Sequence, residues 1–133
     1  MPLYSVPDMR QITNVPHEAS NRPIVNRIPE ESLVRIRKEI NERIQAVVDS
    51  HEELITSGWI PGSDWTNTVW QPIYIASRND FVRAGMVFGF LVFEEMMYRE
   101  EDWSLGKYQV NGRDIGSTTY FRIDTERGSA SKN

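Results

Sequence analysis

One run of the chain, residues 84–93, is apolar on every side and limits the fold more than any other feature. It lies in a pattern that predicts a helix over residues 78–100, opened by Ser77 and Asp80 at the spacing of a capping box. A membrane span needs about 20 apolar residues, so this helix is predicted to be buried on all sides within protein. Three short strands and one other helix can hardly surround it, which favours a core completed by a second copy.

The other helical pattern covers residues 29–57 and is too long for a domain of this size. Its apolar positions form one stripe, made of Leu33, Ile36, Ile40, Ile44, Val47, His51 and Leu54. With Gly58 as the predicted C-terminal cap, about 28 helical residues would span roughly 42 Å. A domain of this length is roughly 36 Å across, so the overhanging stripe needs cover from another chain.

We therefore predict a homodimer whose interface combines both helices. The interface residues are Leu33, Ile36, Ile40, Ile44 and Val47 of the first helix and Gly85 and Gly89 of the second. The two glycines lie four residues apart on one helix face, and each costs about 1 kcal/mol of helix stability relative to alanine. Close approach of another helix would offset that cost.

Residues 1–29 hold five of the seven prolines of the chain. Proline fixes φ and lacks a backbone N–H, so neither a helix nor a central strand is expected there. We predict an extended proline-rich arm over residues 1–29, a single α+β domain over residues 30–124 and a flexible tail over residues 125–133. The arm would lie along its own domain or along a second subunit.

The strand signals predict a small antiparallel sheet. Residues 69–75 are predicted to form a strand, which Pro72 restricts to an edge strand or to one interrupted by a bulge. Asn111-Gly112 predicts a hairpin in which Val110 pairs with Arg113 and Tyr108 with Ile115, and Gly116 marks a bulge. The fold class is therefore α+β: two long helices, an edge strand and a C-terminal hairpin.

The totals exclude several classes of protein. The chain has no cysteine, so it contains neither a disulfide framework nor a thiol nucleophile. The net charge of −4 is mild and argues against a nucleic-acid partner. No signal-peptide pattern or membrane-length apolar run is present, which favours a cytoplasmic protein without a membrane partner.

The residues for most catalytic sites are missing, so we predict no catalytic residue and no cofactor. His51-Glu52 begins like a zinc-protease motif, but Ile55 stands where the second histidine should be. Glu94, Glu95 and Glu101 could hold a metal ion, which leaves a carboxylate-based metal-dependent hydrolase as one alternative. The competing interpretation is a solvated face with an ordinary i,i+4 pair between Glu95 and Arg99.

Aromatic and basic residues near the hairpin give another alternative. Trp65 stands in a polar loop and is predicted to be an exposed anchor. The candidate ligand-binding residues are Trp65, Lys107, Tyr108, Arg113, Tyr120 and Arg122. The basic side chains could hold an anion and the rings could stack on a base, which is the chemistry of a receptor for a nucleotide-like anionic small molecule. An ordinary basic hairpin is the competing interpretation.

The leading hypothesis is a small non-enzymatic homodimer that binds or inhibits another protein. It depends on the missing catalytic set, the arm and the helix that exceeds its domain. Small size, mild acidity and the absence of motifs also suit proteins that phages or mobile elements direct against a host protein or defence system.

Overall fold

The chain folds around one four-stranded sheet with its helices packed beside it. This computed structural model describes residues 3–5, 10–52, 54–56, 65, 67–110 and 113–123, with the backbone alone at residues 5, 56, 106–110 and 113–118. In chain order the elements are β1 (Leu3–Ser5), α1 (Glu18–Val25), α2 (Glu30–Asp49), β2 (Leu54–Thr56), α3 (Gln71–Ala76), α4 (Phe81–Tyr98), β3 (Asp102–Val110) and β4 (Arg113–Ile123). The predicted α+β class is confirmed. The predicted tail over residues 125–133 lies outside the described residues.

Helix α4 is the apolar helix that the sequence predicts. It begins at Phe81 because the side chain of Asp80 accepts a hydrogen bond from the backbone N–H of Arg83 at 3.1 Å, so Asp80 rather than Ser77 is the cap. Its second half is buried, and the ring of Phe93 contacts the ring of Tyr120 in β4 at 6.3 Å. The expectation of burial on all sides is wrong for its first two turns, where several side chains are exposed. None of the described helices has the length and hydropathy needed to cross a membrane.

Helix α2 is shorter than predicted and ends at Asp49. His51 adopts the left-handed conformation (φ 63°) that was predicted for Gly58, a residue outside the described part of the chain. The N–H of Glu52 donates to the carbonyl of Val47 at 3.2 Å, and that of His51 donates to the carbonyl of Val48 at 3.1 Å. These two bonds form a Schellman motif, which stops the helix and releases the following residues into β2.

The shorter α2 removes the geometric mismatch on which the first dimer prediction depends. Its 20 residues span about 30 Å, which fits within a domain roughly 36 Å across. Ile36, Ile40 and Ile44 are fully buried within the single chain, and Leu33 and Val47 pack at the edge of the same core. The central residues of the predicted subunit interface along α2 are therefore buried in the core of the chain itself.

The start of the chain contributes to the core instead of forming an extended arm. Leu3 of β1 is fully buried, and Ile24 and Val25 of α1 are buried as well. The prediction of an extended segment is wrong for residues 18–25, because the burial of these side chains offsets the one helical hydrogen bond that Pro23 removes.

The predicted edge strand over residues 69–75 is also wrong, since α3 occupies most of this segment. Burial recurs every third residue, at Trp70, Ile73 and Ala76, which is a helical rather than a strand period. Pro72 lies in the first turn of α3, where its missing N–H has no helical partner to lose.

The sheet has the order β1-β3-β4-β2, with β1 parallel to β3 and the other neighbours antiparallel. The predicted pairing of Val110 with Arg113 is confirmed, whereas Asn111 and Gly112 lie outside the described residues. The register then shifts, so that the single residue 108 faces residues 115–117 and the predicted Tyr108–Ile115 pair is not formed. The bulge expected around Gly116 is thereby confirmed.

Candidate functional site

The structure separates the residues predicted to form a ligand site near the hairpin. Trp65 is buried, not exposed, and its ring meets the rings of Phe81 and Phe88 edge-on at 5.5 and 5.8 Å. Tyr120 is also buried, and burial raises the pKa of its hydroxyl far above the usual range. Two of the predicted aromatic contacts are therefore part of the core, where a ligand base could not stack on them.

The structure describes the side chain of only one of the other four residues of the same predicted site. Lys107, Tyr108 and Arg113 lie on β3 and β4, but their side chains are outside the described part of the chain. Arg122 is described, is partly exposed, and holds its guanidinium 5.7 Å from the centre of the Trp103 ring. Of the six predicted residues, Arg122 is thus the one whose described side chain reaches solvent.

The glutamates predicted as an alternative metal site belong to a network that we call the Arg–Glu seam. The seam joins α1, α2 and α4, and its members are Arg22, Arg37, Asn41, Glu94, Glu95, Arg99 and Glu101. Three arginines face three glutamates, so the formal charges of the seam cancel. Among the described residues, no group of three or more His, Cys, Asp or Glu side chains is placed to hold a metal ion.

Glu94 lies at the centre of the seam. Its carboxylate accepts a hydrogen bond from Arg22 of α1 and another, at 3.1 Å, from Arg37 of α2. Arg37 also donates to Glu95 at 2.6 Å, and Asn41 donates to the second oxygen of Glu95. Because both carboxylates are nearly buried, these charge-assisted bonds hold α1 and α2 against α4.

Arg99 closes the other end of the seam. Its guanidinium donates to both oxygens of Glu101, at 2.7 and 3.0 Å, and also to Asn41 and Gln45 of α2. Burial acts to raise the pKa of the Glu101 carboxyl, but the hydrogen bonds and the positive charge of Arg99 outweigh it, and the pKa is lowered. The predicted i,i+4 pair between Glu95 and Arg99 is wrong, since each residue takes partners from other parts of the chain.

Sequence reasoning missed the arginines of the seam. Arg37 follows the buried Ile36 of the α2 stripe, and Asn41 follows the buried Ile40 at the same offset. Polar residues that recur four apart beside an apolar stripe are placed to meet a packed neighbouring helix. That spacing could have indicated the partners of the α4 glutamates. Because the glutamates are paired in this way, they are not free to bind a metal ion.

A second feature is an exposed apolar surface on the first two turns of α4. We call it the α4 face, and its residues are Phe81, Val82, Gly85, Met86 and Gly89. At 100° per residue these positions fall within an arc of about 140°. Phe81, Val82 and Met86 are 49%, 68% and 54% exposed. Contiguous apolar patches of more than a few hundred Å² often mark binding surfaces, and the α4 face lies at the lower end of that range.

In the described part of the chain, the two glycines of the α4 face have open space where a side chain would project. Apart from the adjoining helix backbone, a Cβ atom added at Gly85 or at Gly89 would meet no atom of the described residues within 4 Å. The predicted tight helix crossing is therefore not made inside the described part of the chain. The backbone of α4 remains accessible to a molecule that packs on this face.

Comparison of the chain with protein-family profiles, with curated proteins and with solved structures found no match.

Proposed function

We propose that this chain is a non-enzymatic binding protein that works as a homodimer, with the α4 face as the contact between its two copies. The observation that carries the proposal is the exposure of Phe81, Val82 and Met86 on one side of the first two turns of α4. Burial of apolar surface is the main driving force for protein association. Leaving three such side chains in water favours a partner that covers them.

A second copy fits this surface because the glycines permit a self-complementary contact. In a twofold dimer the same patch appears on both subunits, so each α4 meets another α4. No described residue lies within 4 Å of a Cβ added at Gly85 or Gly89, apart from the adjoining helix backbone. Two helices that cross there can approach closely while Val82 and Met86 of each pack beside the crossing. In this proposed arrangement, the predicted contact at the two glycines is made between the subunits. The rest of the proposed interface is formed by α4 instead of α2.

The size of the α4 face sets the expected affinity. A half-exposed large side chain presents roughly 100 Å², so the three residues present roughly 300 Å² in each subunit. The dimer would bury roughly 600 Å² of side-chain surface, which is well below the usual 1,600 Å² or so of a stable complex. We therefore expect a weak, transient dimer.

The enzymatic alternative has less support. In a carboxylate-based hydrolase, Glu94, Glu95 and Glu101 would need oxygens that are free to bind a metal ion. Each of them instead accepts charge-assisted hydrogen bonds from an arginine of the seam. Inhibition of another protein, including a host target of a phage, would be a consequence of binding by the dimer and is part of this proposal.

Val82→Glu tests the proposal against a matched control. A charge at the centre of a twofold contact faces its own copy, so we expect the dissociation constant to rise at least about tenfold. Val34→Glu places the same charge on α2 at a side chain that is 61% exposed, and it should leave dimerisation unchanged. Sedimentation velocity over a concentration series measures both. A wild-type protein that stays monomeric at every concentration, or equal behaviour of the two variants, would contradict the proposal.

A further inference from the structure

Two buried hydrogen-bond donors lie side by side on the sheet without an acceptor in the described part of the chain. They are Nε1 of Trp103 in β3 and Nε of Arg122 in β4. The two residues are direct cross-strand partners, so their side chains leave the same face of the sheet. The guanidinium carbon of Arg122 is 5.7 Å from the centre of the Trp103 ring, which confirms that the two groups are adjacent.

Such donors are expensive to leave unpaired. A buried N–H without an acceptor costs about 1–3 kcal/mol, and Trp103 is completely buried. Arg122 makes no ion pair within 4.0 Å with any residue in the described part of the chain, although its charge helps to lower the pKa of the nearby Glu101 carboxyl. The nearby carboxylate of Glu101 is already bound through both oxygens by Arg99.

We propose that Trp103 and Arg122 form a binding site for a small soluble oxyanion, a carboxylate or a phosphate group. Its oxygens would accept hydrogen bonds from the indole N–H and from the Nε–H of the guanidinium. An ionised carboxylate or phosphate is an acceptor that fits two neighbouring donors and also neutralises the positive charge. A water molecule in the same place would bring two hydrogens of its own and no charge.

An anion has to enter this site past the Arg122 side chain. Arg122 is partly exposed as a whole, whereas its Nε and the indole N–H of Trp103 are both buried. With hydrogen bonds of about 2.9 Å at each end, the two oxygens of one acid group can bridge donors that are up to roughly 8 Å apart. The site lies on β3 and β4 and uses no residue of the α4 face, so its test does not depend on whether the proposed dimer forms.

The indole N–H signals in a ¹H–¹⁵N NMR spectrum test this site directly. The chain has four tryptophans. The signal of Trp103 is identified by its absence in Trp103→Phe or by contacts with Leu3, its pairing partner in the neighbouring strand β1. We expect inorganic phosphate, acetate or both to shift this one signal saturably, with half-saturation at about 1–10 mM. Sodium chloride at equal ionic strength should not shift it.

Two variants distinguish a specific site from general attraction of anions. Arg122→Met keeps the aliphatic stem over Trp103 but removes the donor and the charge, so the affinity should fall at least about tenfold. Lys38→Gln removes one positive charge from α2, where the side chain is 76% exposed, and should leave the titration unchanged. A response to one anion alone assigns the ligand to the carboxylate or to the phosphate class. No saturable shift with either anion, or an undiminished shift in Arg122→Met, would overturn the proposal.

Discussion

Replacing Glu94 by alanine is expected to lower the free energy of unfolding by about 3 kcal/mol. The carboxylate is nearly buried and accepts hydrogen bonds from Arg22 and Arg37, which come from two different helices. Removing one member of a buried ion pair costs about 3–5 kcal/mol, because the charge left behind loses its partner. The low end of that range applies here, since both arginines are about 30% exposed and are partly solvated.

Glu39→Ala is the matched control for this change. Glu39 pairs with Arg43 on the exposed side of α2, at 2.7 Å. Exposed pairs of this kind contribute about 0–1 kcal/mol, so the control should unfold at nearly the wild-type denaturant concentration. Chemical denaturation followed by circular dichroism gives both values. Similar losses for the two variants would mean that the Arg–Glu seam does not hold α1 and α2 against α4.

Replacing Ile40 by alanine is expected to have a loss of similar size, about 2–4 kcal/mol. Ile40 is fully buried within the single chain, and truncating it leaves a cavity that its neighbours fill only in part. Because the residue belongs to the core of one subunit, the loss should not depend on protein concentration. Val34→Ala, on the exposed side of the same helix, should change stability by less than about 0.5 kcal/mol.

The concentration series decides where Ile40 lies. If its side chain filled a subunit interface, the Ile40→Ala loss would shrink on dilution as the dimer dissociates. A loss that is constant from low to high concentration supports the core position. A loss below about 1 kcal/mol, or one that changes with concentration, would contradict it.

Local patterns predicted the parts of the fold that local chemistry determines. The Asn111-Gly112 signal gave the hairpin and its Val110–Arg113 pair, and the apolar run gave α4 to within three residues at each end. Helix α3 shows the opposite case: the pattern of residues 69–75 predicts a strand, but burial of Ile73 against α4 favours a helix. Tertiary packing overrode the local strand preference, although the apolar residues spaced three apart in this segment were a local signal of a helix.

The errors in the candidate site have the same origin. Trp65 stands among polar residues, yet two phenylalanines of α4 cover its ring, and a sequence does not reveal that contact. The end of α2 was missed because a histidine, His51, took the left-handed position that glycine usually fills. That one residue removes the overhang of α2, and with it the original reason for a dimer along that helix.

Covalent trapping tests the proposed dimer most directly, because the chain has no native cysteine. A Gly85→Cys variant fits the fold, since no described residue outside the adjoining helix backbone lies within 4 Å of the added Cβ. If two α4 helices cross at this position, mild oxidation should link the subunits at least about tenfold faster than in Val34→Cys, whose residue is also exposed. Equal rates of linkage for the two variants would contradict the α4 face as the contact between subunits.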